Sequence, residues 1–231
     1  MKEEVFSLPN LEVNMSNHKK LIKLSCMVSF SALAIIIGLI EIPWIPIPPL
    51  GSFLKLDFSD VIILVSLVTI GFLDTFGVIA IRTVVRRLLF GMAPHDWIGE
   101  ISAVSASLLL MLSFLLLIII LKNRKQDKFN LFNYLITISI VLIIQTVFMP
   151  MINFFFVTPM FVSLFMMDNF HVTVFGFMNE QTLFSGWNDY LVFTLIAFVP
   201  FNLLKSFLIA NIFFFIRPTV TNLYNTIILK Q

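Results

Sequence analysis

The chain has 231 residues, of which 59% are hydrophobic and only 12% are charged. Soluble domains carry about 25% charged residues, so this composition excludes an ordinary soluble protein and indicates an integral membrane protein. The net charge of +2 is too small to suggest nucleic-acid binding, and the single cysteine excludes an internal disulfide framework.

The hydrophobic runs predict an all-α membrane protein with six transmembrane helices. A full span needs about 20 residues, and the second and third runs are shorter, so we expect these two to tilt or to lie partly buried among the others. The prolines that follow the first run end its helix, because proline cannot occupy a helix interior. The predicted spans are residues 21–42, 58–72, 76–90, 98–121, 131–157 and 191–216.

Basic residues near the span ends predict the orientation. Six crossings place three basic groups on one side, which the positive-inside rule makes cytoplasmic. These groups are Lys19, Lys20 and Lys23, then Lys122, Arg124, Lys125 and Lys128, and finally Arg217 and Lys230. We therefore expect both termini in the cytoplasm of a cell-membrane protein. The expected organisation is an N-terminal segment (1–20), a six-helix substrate-binding domain (21–217) and a C-terminal tail (218–231).

A lysine in the middle of the sixth apolar run carries the clearest chemical signal. Lys205 at that depth costs roughly 2.5–3.5 kcal/mol, so such a side chain normally faces a partner, a cavity or a ligand. Asn202 lies three residues earlier on the same helix face, and Pro200 is expected to kink the helix. The pattern predicts a polar binding site at membrane depth, and the alternative for Lys205 is a structural ion pair.

Four segments in order resemble one transporter family. In the first outer loop, polar and apolar residues alternate as in a short extended segment, and Asp57 or Ser59 is placed to cap the second helix. That loop reads FLKLDFSD (53–60) and resembles the first-loop signature of the riboflavin-specific substrate-binding (S) components of energy-coupling factor (ECF) transporters. The other agreeing segments are GE (99–100), NFF (153–155) with Pro159, and PFNLLK (200–205).

The resemblance implies an S-component fold that captures riboflavin from outside the cell, beneath the 43–56 loop acting as a lid. Riboflavin would be the transported ligand, with no cofactor, and the implied partners are a membrane coupling protein and two ATPase subunits. The implied substrate-binding residues are Leu54, Lys55, Asp57, Gly99, Glu100, Asn153, Asn202 and Lys205.

The chemistry of these side chains suits riboflavin, a neutral molecule with a flat ring, a polar ring edge and a polyhydroxyl tail. Amides offer donors and an acceptor, so Asn153 and Asn202 can match the ring edge, and Lys205 can donate to a ring carbonyl. Leu54 would contact the ring. Glu100 either accepts from the ribityl hydroxyls or serves as a favourable acid at a helix N-terminus, and Asn153 alternatively bonds between helices.

Two features depart from the family pattern. Ala103 stands where the family usually has an asparagine, and three arginines in the third span are unusual. Arg82, Arg86 and Arg87 are either neutralised by carboxylates or line the pocket and favour an anionic ligand such as flavin mononucleotide (FMN), since guanidinium suits phosphate. The candidate carboxylates are those of Asp57, Asp60, Asp74 and Glu100.

The first span is expected to meet the coupling protein. Ser25 and Ser29 form a pair of small residues at a spacing that lets helices approach closely, with Ala32 nearby.

A rival hypothesis is a small membrane enzyme or an assembly factor, and a further one is an S component for another vitamin. An enzyme should show an acid–base pair or metal ligands on facing helices, and none stands out. The chain has no glycine-rich phosphate loop, so we expect partner subunits to hydrolyse ATP. Residues 159–190 contain Asp168, His171, Glu180 and Asp189 without metal-ligand spacing, and a solvated outer loop is expected there.

Overall fold

Eight helices, one π-helical turn and a two-stranded ribbon form the parts of the chain that the computed structural model describes, which are residues 17–45, 54–121 and 131–224. In chain order they are α1 (Asn17–Gly38), β1 (Ile42–Pro43), β2 (Lys55–Leu56), α2 (Ser59–Thr69), α3 (Phe72–Phe90), α4 (Pro94–Leu121), α5 (Leu131–Ile152), the π turn (Asn153–Val157), α6 (Thr158–Met166), α7 (Val174–Glu180) and α8 (Trp187–Tyr224).

Four helical stretches in the described ranges are long and apolar enough to cross a membrane: Lys20–Gly38, Pro94–Leu117, Tyr134–Met166 and Trp187–Ile216. They correspond to predicted spans one, four, five and six. The two runs predicted as short spans form the helices α2 and α3, and their crossing of the membrane stays a prediction. Almost every residue of α2 is buried, as predicted for a short helix enclosed by others.

The end of the first helix differs from the sequence prediction. α1 ends at Gly38 rather than at residue 42, because the chain turns there and Ile42 pairs with Leu56 in an antiparallel ribbon. This pairing confirms an extended segment at Lys55–Leu56. Residues 46–53, which include most of the expected lid and Phe53, lie outside the described residues, as do Lys122, Arg124, Lys125, Lys128 and Lys230.

The fifth helix is longer than predicted. We expected it to end at residue 157, but α5, the π turn and α6 run on without interruption to Met166. Proline removes a backbone donor and crowds the carbonyl four residues earlier. Pro159 stands at the start of α6, directly after the π turn, whose wider backbone pairing leaves room for it.

The prediction of a solvated loop at residues 159–190 is also wrong in part. Besides α6 it contains α7, whose Val174 and Phe177 are fully buried. The last helix, α8, begins at Trp187 and is helical at Pro200 and on both sides of it. The proline therefore does not break α8.

The helices pack around α2, which contacts α1, α3, α4 and α8. One apolar cluster fills the space between α2, α3, α4, α5 and α8, with fully buried Ile63, Leu64 and Met111 among its members. A second cluster joins the ribbon to α7 and to the first half of α8, and includes Leu54 and Phe198. Polar side chains lie between the two clusters.

Candidate functional site

A cavity of about 320 Å³ lies at the ribbon end of the helix bundle. Sites for small ligands occupy roughly 300–1,000 Å³, so the cavity falls in that range. The ribbon, the end of α3, the beginning of α4, α6 and the middle of α8 supply its walls. Seven of the eight predicted binding residues line it: Leu54, Lys55, Asp57, Gly99, Glu100, Asn202 and Lys205.

The base of the cavity is an ion-paired network centred on Asp60. Lys205 Nζ lies 2.9 Å from Asp60 Oδ2, while Arg82 Nη1 lies 3.4 Å from Asp60 Oδ1. The hydroxyl of Ser107 donates to the same Oδ1 atom. Lys205 therefore forms the predicted ion pair and also lines the cavity, and its contact with a ligand stays a prediction.

The three arginines are all paired with carboxylates. Arg82 is fully buried, donates to Ser59 Oγ at 2.9 Å as well as to Asp60, and does not belong to the cavity wall. Arg86 lies in the wall, where its Nη2 contacts Glu41 Oε1 at 2.6 Å and its Nη1 contacts Asp57 Oδ2 at 3.0 Å.

Arg87 completes this arrangement at the mouth of the cavity. Its Nε lies 3.3 Å from Glu100 Oε2, and its Nη1 lies 3.3 Å from Asp96 Oδ1. Among the carboxylates predicted to neutralise the arginines, Asp74 does not take part, because it pairs with Lys23 at 2.8 Å. The geometry thus favours neutralisation by acidic neighbours.

Asp57 links the ribbon to the beginning of α2. Its Oδ1 accepts the backbone N–H of Ser59 at 2.6 Å, so Asp57 rather than Ser59 bonds to the free end of the helix. Burial by itself would raise the pKa of Asp57, but the positive charges of Lys205, Arg82 and Arg86 and a hydrogen bond from Ser59 outweigh it and lower that pKa to about 2. Asp57 is therefore charged at neutral pH.

The charges on the cavity wall balance. Four cationic and four acidic side chains line it, and with neutral His95 their formal sum is zero. The cations are Lys55, Arg86, Arg87 and Lys205, and the acids are Glu41, Asp57, Asp96 and Glu100. A wall of this kind carries many polar atoms but no net charge, which suits a neutral polar molecule.

Much of the remaining wall is apolar. Leu54 and Phe201 face the cavity together with Met149, Phe161 and Phe165. The ring of Trp44 packs edge-on against Phe201 at 5.7 Å between centroids, which supports that part of the wall from behind. Ala103, where the family usually has an asparagine, lines the cavity with a methyl group, so that polar contact is absent here.

The two asparagines have different positions. Asn202 lines the cavity and donates from Nδ2 to the carbonyl of Phe198 at 2.7 Å. Asn153 lies at the start of the π turn, outside the cavity wall, and donates to the carbonyl of Met149 at 2.7 Å. Its Oδ1 is buried and has no hydrogen-bond partner among the described residues.

Sequence reasoning missed several side chains of the site. Glu41 bridges the ribbon to α3, since it contacts Lys55 Nζ at 2.6 Å as well as Arg86. Asp60 was predicted as a partner for the arginines, but its ion pair with Lys205 was not, although both are ionisable residues inside apolar runs. Asp96 and the aromatic residues of α6 could not be identified from the sequence, because an acid in the first turn of a helix and aromatic residues in an apolar helix are both common.

The other predicted features lie away from the cavity. Ser25, Ser29 and Ala32 are exposed on the outward face of α1. In the described part of the chain, no group of three or more His, Cys, Asp or Glu side chains is placed to hold a metal ion.

Known proteins are similar to this chain in sequence. The model of a family described as "ECF transporter, substrate-specific component" matches residues 23–217. The riboflavin transporter RibU of Lactococcus lactis subsp. cremoris is 25% identical over 201 residues, which cover 86% of this chain and 91% of the relative. The RibU of Staphylococcus aureus is 27% identical over 212 residues, which cover 91% and 95%.

A solved structure shares the fold. It is described as the S component of a bacterial ECF transporter and superposes with a TM-score of 0.58 at 22% identity, covering 88% of this chain and 98% of that one.

Proposed function

Because the chain belongs to the ECF transporter substrate-specific components, we propose that it captures riboflavin from outside the cell for ATP-driven uptake. Its curated relatives from Lactococcus lactis and Staphylococcus aureus are riboflavin transporters. The observation that carries the proposal is the convergence of seven predicted binding residues, from three separate stretches of sequence, on one cavity without net charge.

The cavity offers a complementary group for each part of riboflavin. The apolar ring would pack between Leu54 and Phe201. Its polar edge would face Asn202 and the ammonium of Lys205, which Asp60 holds in place at 2.9 Å. Glu100 Oε1 is buried without a hydrogen-bond partner in the described residues, so it is ready to accept a ribityl hydroxyl.

Asn153 is the one predicted binding residue outside the wall. Its unpartnered Oδ1 and its position one helical turn from Met149, which does line the cavity, support a contact with the ring edge after a side-chain rotation. A ligand donor would then satisfy an acceptor that otherwise stays buried and unpaired, which is an expensive state.

A phosphorylated flavin fits this wall less well. Arg82 and Arg86 were considered as contacts for an anion, but each is already paired with carboxylates, and Arg87 is paired with Glu100 and Asp96. A phosphate at the mouth would have to displace or approach these acids. We infer that the arginines orient the carboxylates and that FMN binds more weakly than riboflavin.

The surrounding assembly follows from the family. We infer six membrane crossings with cytoplasmic termini in the cell membrane, where α2 and α3 complete the four longer spans. A membrane coupling protein and two ATPase subunits would supply the energy, and the exposed face of α1 with Ser25, Ser29 and Ala32 would contact the coupling protein. The chain itself would bind cargo without chemical conversion or a cofactor.

Fluorescence titration tests the proposal. Detergent-purified protein is added to riboflavin, and we expect the flavin emission to be quenched as the ring enters the apolar wall beside Phe201. FMN and a colourless vitamin such as thiamine serve as competitors, and neither should displace riboflavin at comparable concentration. Absence of quenching would refute riboflavin as cargo, and displacement by FMN at equal concentration would assign the arginines to the ligand.

A further inference from the structure

The segment between α6 and α8 joins two helices that end at a membrane surface. The apolar stretch Tyr134–Met166 has 33 residues and Trp187–Ile216 has 30. At 1.5 Å per residue these stretches are about 50 Å and 45 Å long, which exceeds the roughly 30 Å hydrocarbon core and reaches the headgroup layer. Residues 167–186 therefore begin and end in that layer. They do so at the cavity end of the bundle, since Phe165 lines the cavity.

α7 lies in this segment and has three different faces. Val174 and Phe177 are fully buried and pack into the second apolar cluster with Tyr190, which fixes one face on the protein. On the helix, Phe175 and Glu180 are five residues apart, so their side chains point in directions about 140° apart. The two flanks of α7 that face away from the bundle therefore differ in chemistry.

One flank of α7 is apolar and lies beside the beginning of α8. The ring of Phe175 is 64% exposed and lies 6.0 Å from the ring of Trp187, the first residue of α8. Phe170, Val172 and Leu183 in the same segment are about half exposed. A tryptophan at the end of a membrane helix, as Trp187 is, is typical of the headgroup layer. Exposed phenylalanine and leucine side chains are typical of the lipid-facing side of interfacial helices.

The other flank is polar. Glu180 Oε2 accepts from Asn169 Nδ2 at 2.9 Å and lies 3.0 Å from His171 Nε2. These hydrogen bonds, first that of Asn169 and then that of His171, lower the pKa of Glu180, so its carboxylate is charged at neutral pH. A charged, exposed carboxylate requires water rather than lipid.

We propose that α7 and its flanking turns form an interfacial element that lies in the headgroup layer, with the Phe175 flank in contact with lipid and the Glu180 flank in contact with water. No lysine or arginine occurs in residues 158–190, whereas three acids do, so attraction to anionic headgroups plays no part. Burial of aromatic surface holds the segment at the membrane instead. This inference does not depend on the identity of the cargo.

Depth-dependent fluorescence quenching in proteoliposomes tests it. The three tryptophans, Trp44, Trp97 and Trp187, are replaced by phenylalanine. One tryptophan is then introduced on either flank, as Phe175→Trp or as Glu180→Trp, and unfolding temperatures verify that both variants fold. The probes are phospholipids brominated near the top of the acyl chain and aqueous iodide.

The Phe175→Trp emission should be quenched strongly by the brominated lipid and only weakly by iodide. The Glu180→Trp emission should show the reverse, with an iodide quenching constant several-fold larger. Equal quenching of both positions by iodide, or equal quenching of both by brominated lipid, would overturn the assignment of the flanks. Failure of brominated lipid to quench at position 175 would show that something other than lipid covers that flank.

Discussion

The two halves of the helix bundle are built from opposite chemistry. In the cavity half, ten acidic and basic side chains other than histidine line the cavity or join the ion-paired network, including the fully buried Arg82. The other half is filled by aliphatic and aromatic side chains such as Ile63, Leu64 and Met111. Burial of apolar surface stabilises a fold directly, whereas a buried ion pair recovers little more than the cost of its desolvation. The apolar half therefore contributes most of the favourable free energy of folding, and we propose that the charged half positions the groups that bind the ligand.

The largest loss of unfolding free energy is expected when one member of a buried ion pair in the charged half is removed. Asp60→Ala leaves Lys205 and Arg82 without their shared carboxylate, and removal of one member of a buried pair typically costs about 3–5 kcal/mol of unfolding free energy. Denaturant unfolding in detergent measures it.

Asp74→Ala provides the matched control, because the Lys23–Asp74 pair is partly exposed. It should cost about 0–1 kcal/mol. Equally small losses of unfolding free energy in both variants would mean that the Asp60 network stabilises the fold no more than a partly exposed ion pair does.

A cavity in the apolar half should cost stability and leave binding intact. Leu64 is fully buried in the first apolar cluster, so Leu64→Ala should lower the unfolding free energy by about 2–5 kcal/mol. The riboflavin affinity of the folded fraction should stay unchanged. Leu112→Ala on the exposed side of α4 is the control and should alter neither quantity. A loss of affinity in Leu64→Ala would show that the two halves are not separable.

Acid should weaken the charged half specifically. The pKa of Asp57 is about 2 in the folded protein against an ordinary value of 3.8. The unfolded chain therefore binds the proton first as pH falls. The stabilisation from Asp57 is complete above its unfolded pKa and disappears as pH falls toward the folded one, a change of about 2 kcal/mol.

Unfolding free energies of wild type and Asp57→Asn across this pH interval provide the check. The variant should lack the acid-dependent component, whatever its stability at neutral pH. Parallel pH profiles for the two proteins would contradict the stabilisation of the Asp57 carboxylate by Lys205, Arg82 and Arg86.

Loss of a wall amide or ammonium should weaken riboflavin binding by the protein that remains folded. Lys205→Ala and Asn202→Ala should each weaken riboflavin binding at least tenfold, which corresponds to about 1.4 kcal/mol. Isothermal titration calorimetry measures the change. Ser206→Ala is the control on the same helix, since Ser206 bonds to the Asn202 carbonyl without lining the cavity. Wild-type affinity in both wall variants would assign these polar groups to packing.

The sequence was most informative where polar residues interrupt apolar runs. Lys205 and Asn202 stood out because membrane depth makes such side chains costly, and the structure places both in the cavity wall. The helices long enough to cross a membrane were predicted for the same reason, since length and hydropathy determine them.

Features set by tertiary geometry were not predictable from sequence. The fifth span was predicted to end at residue 157, but the helix continues through a π turn into α6, and no local sequence pattern predicts that turn. Which carboxylate pairs with each arginine depends on how the helices pack. The pairing of Glu41 with Arg86 and of Asp96 with Arg87 was therefore not predicted. Asn153 matched a motif, yet its side chain bonds within its own helix turn rather than at the cavity.

A density map of the riboflavin-saturated protein tests the central claim most directly. We predict the tricyclic ring between Leu54 and Phe201, with its polar edge toward Asn202 and Lys205 and its ribityl chain toward Glu100. A flavin bound elsewhere, or a cavity that stays free of flavin density at saturation, would contradict the assignment of the charged half to ligand binding.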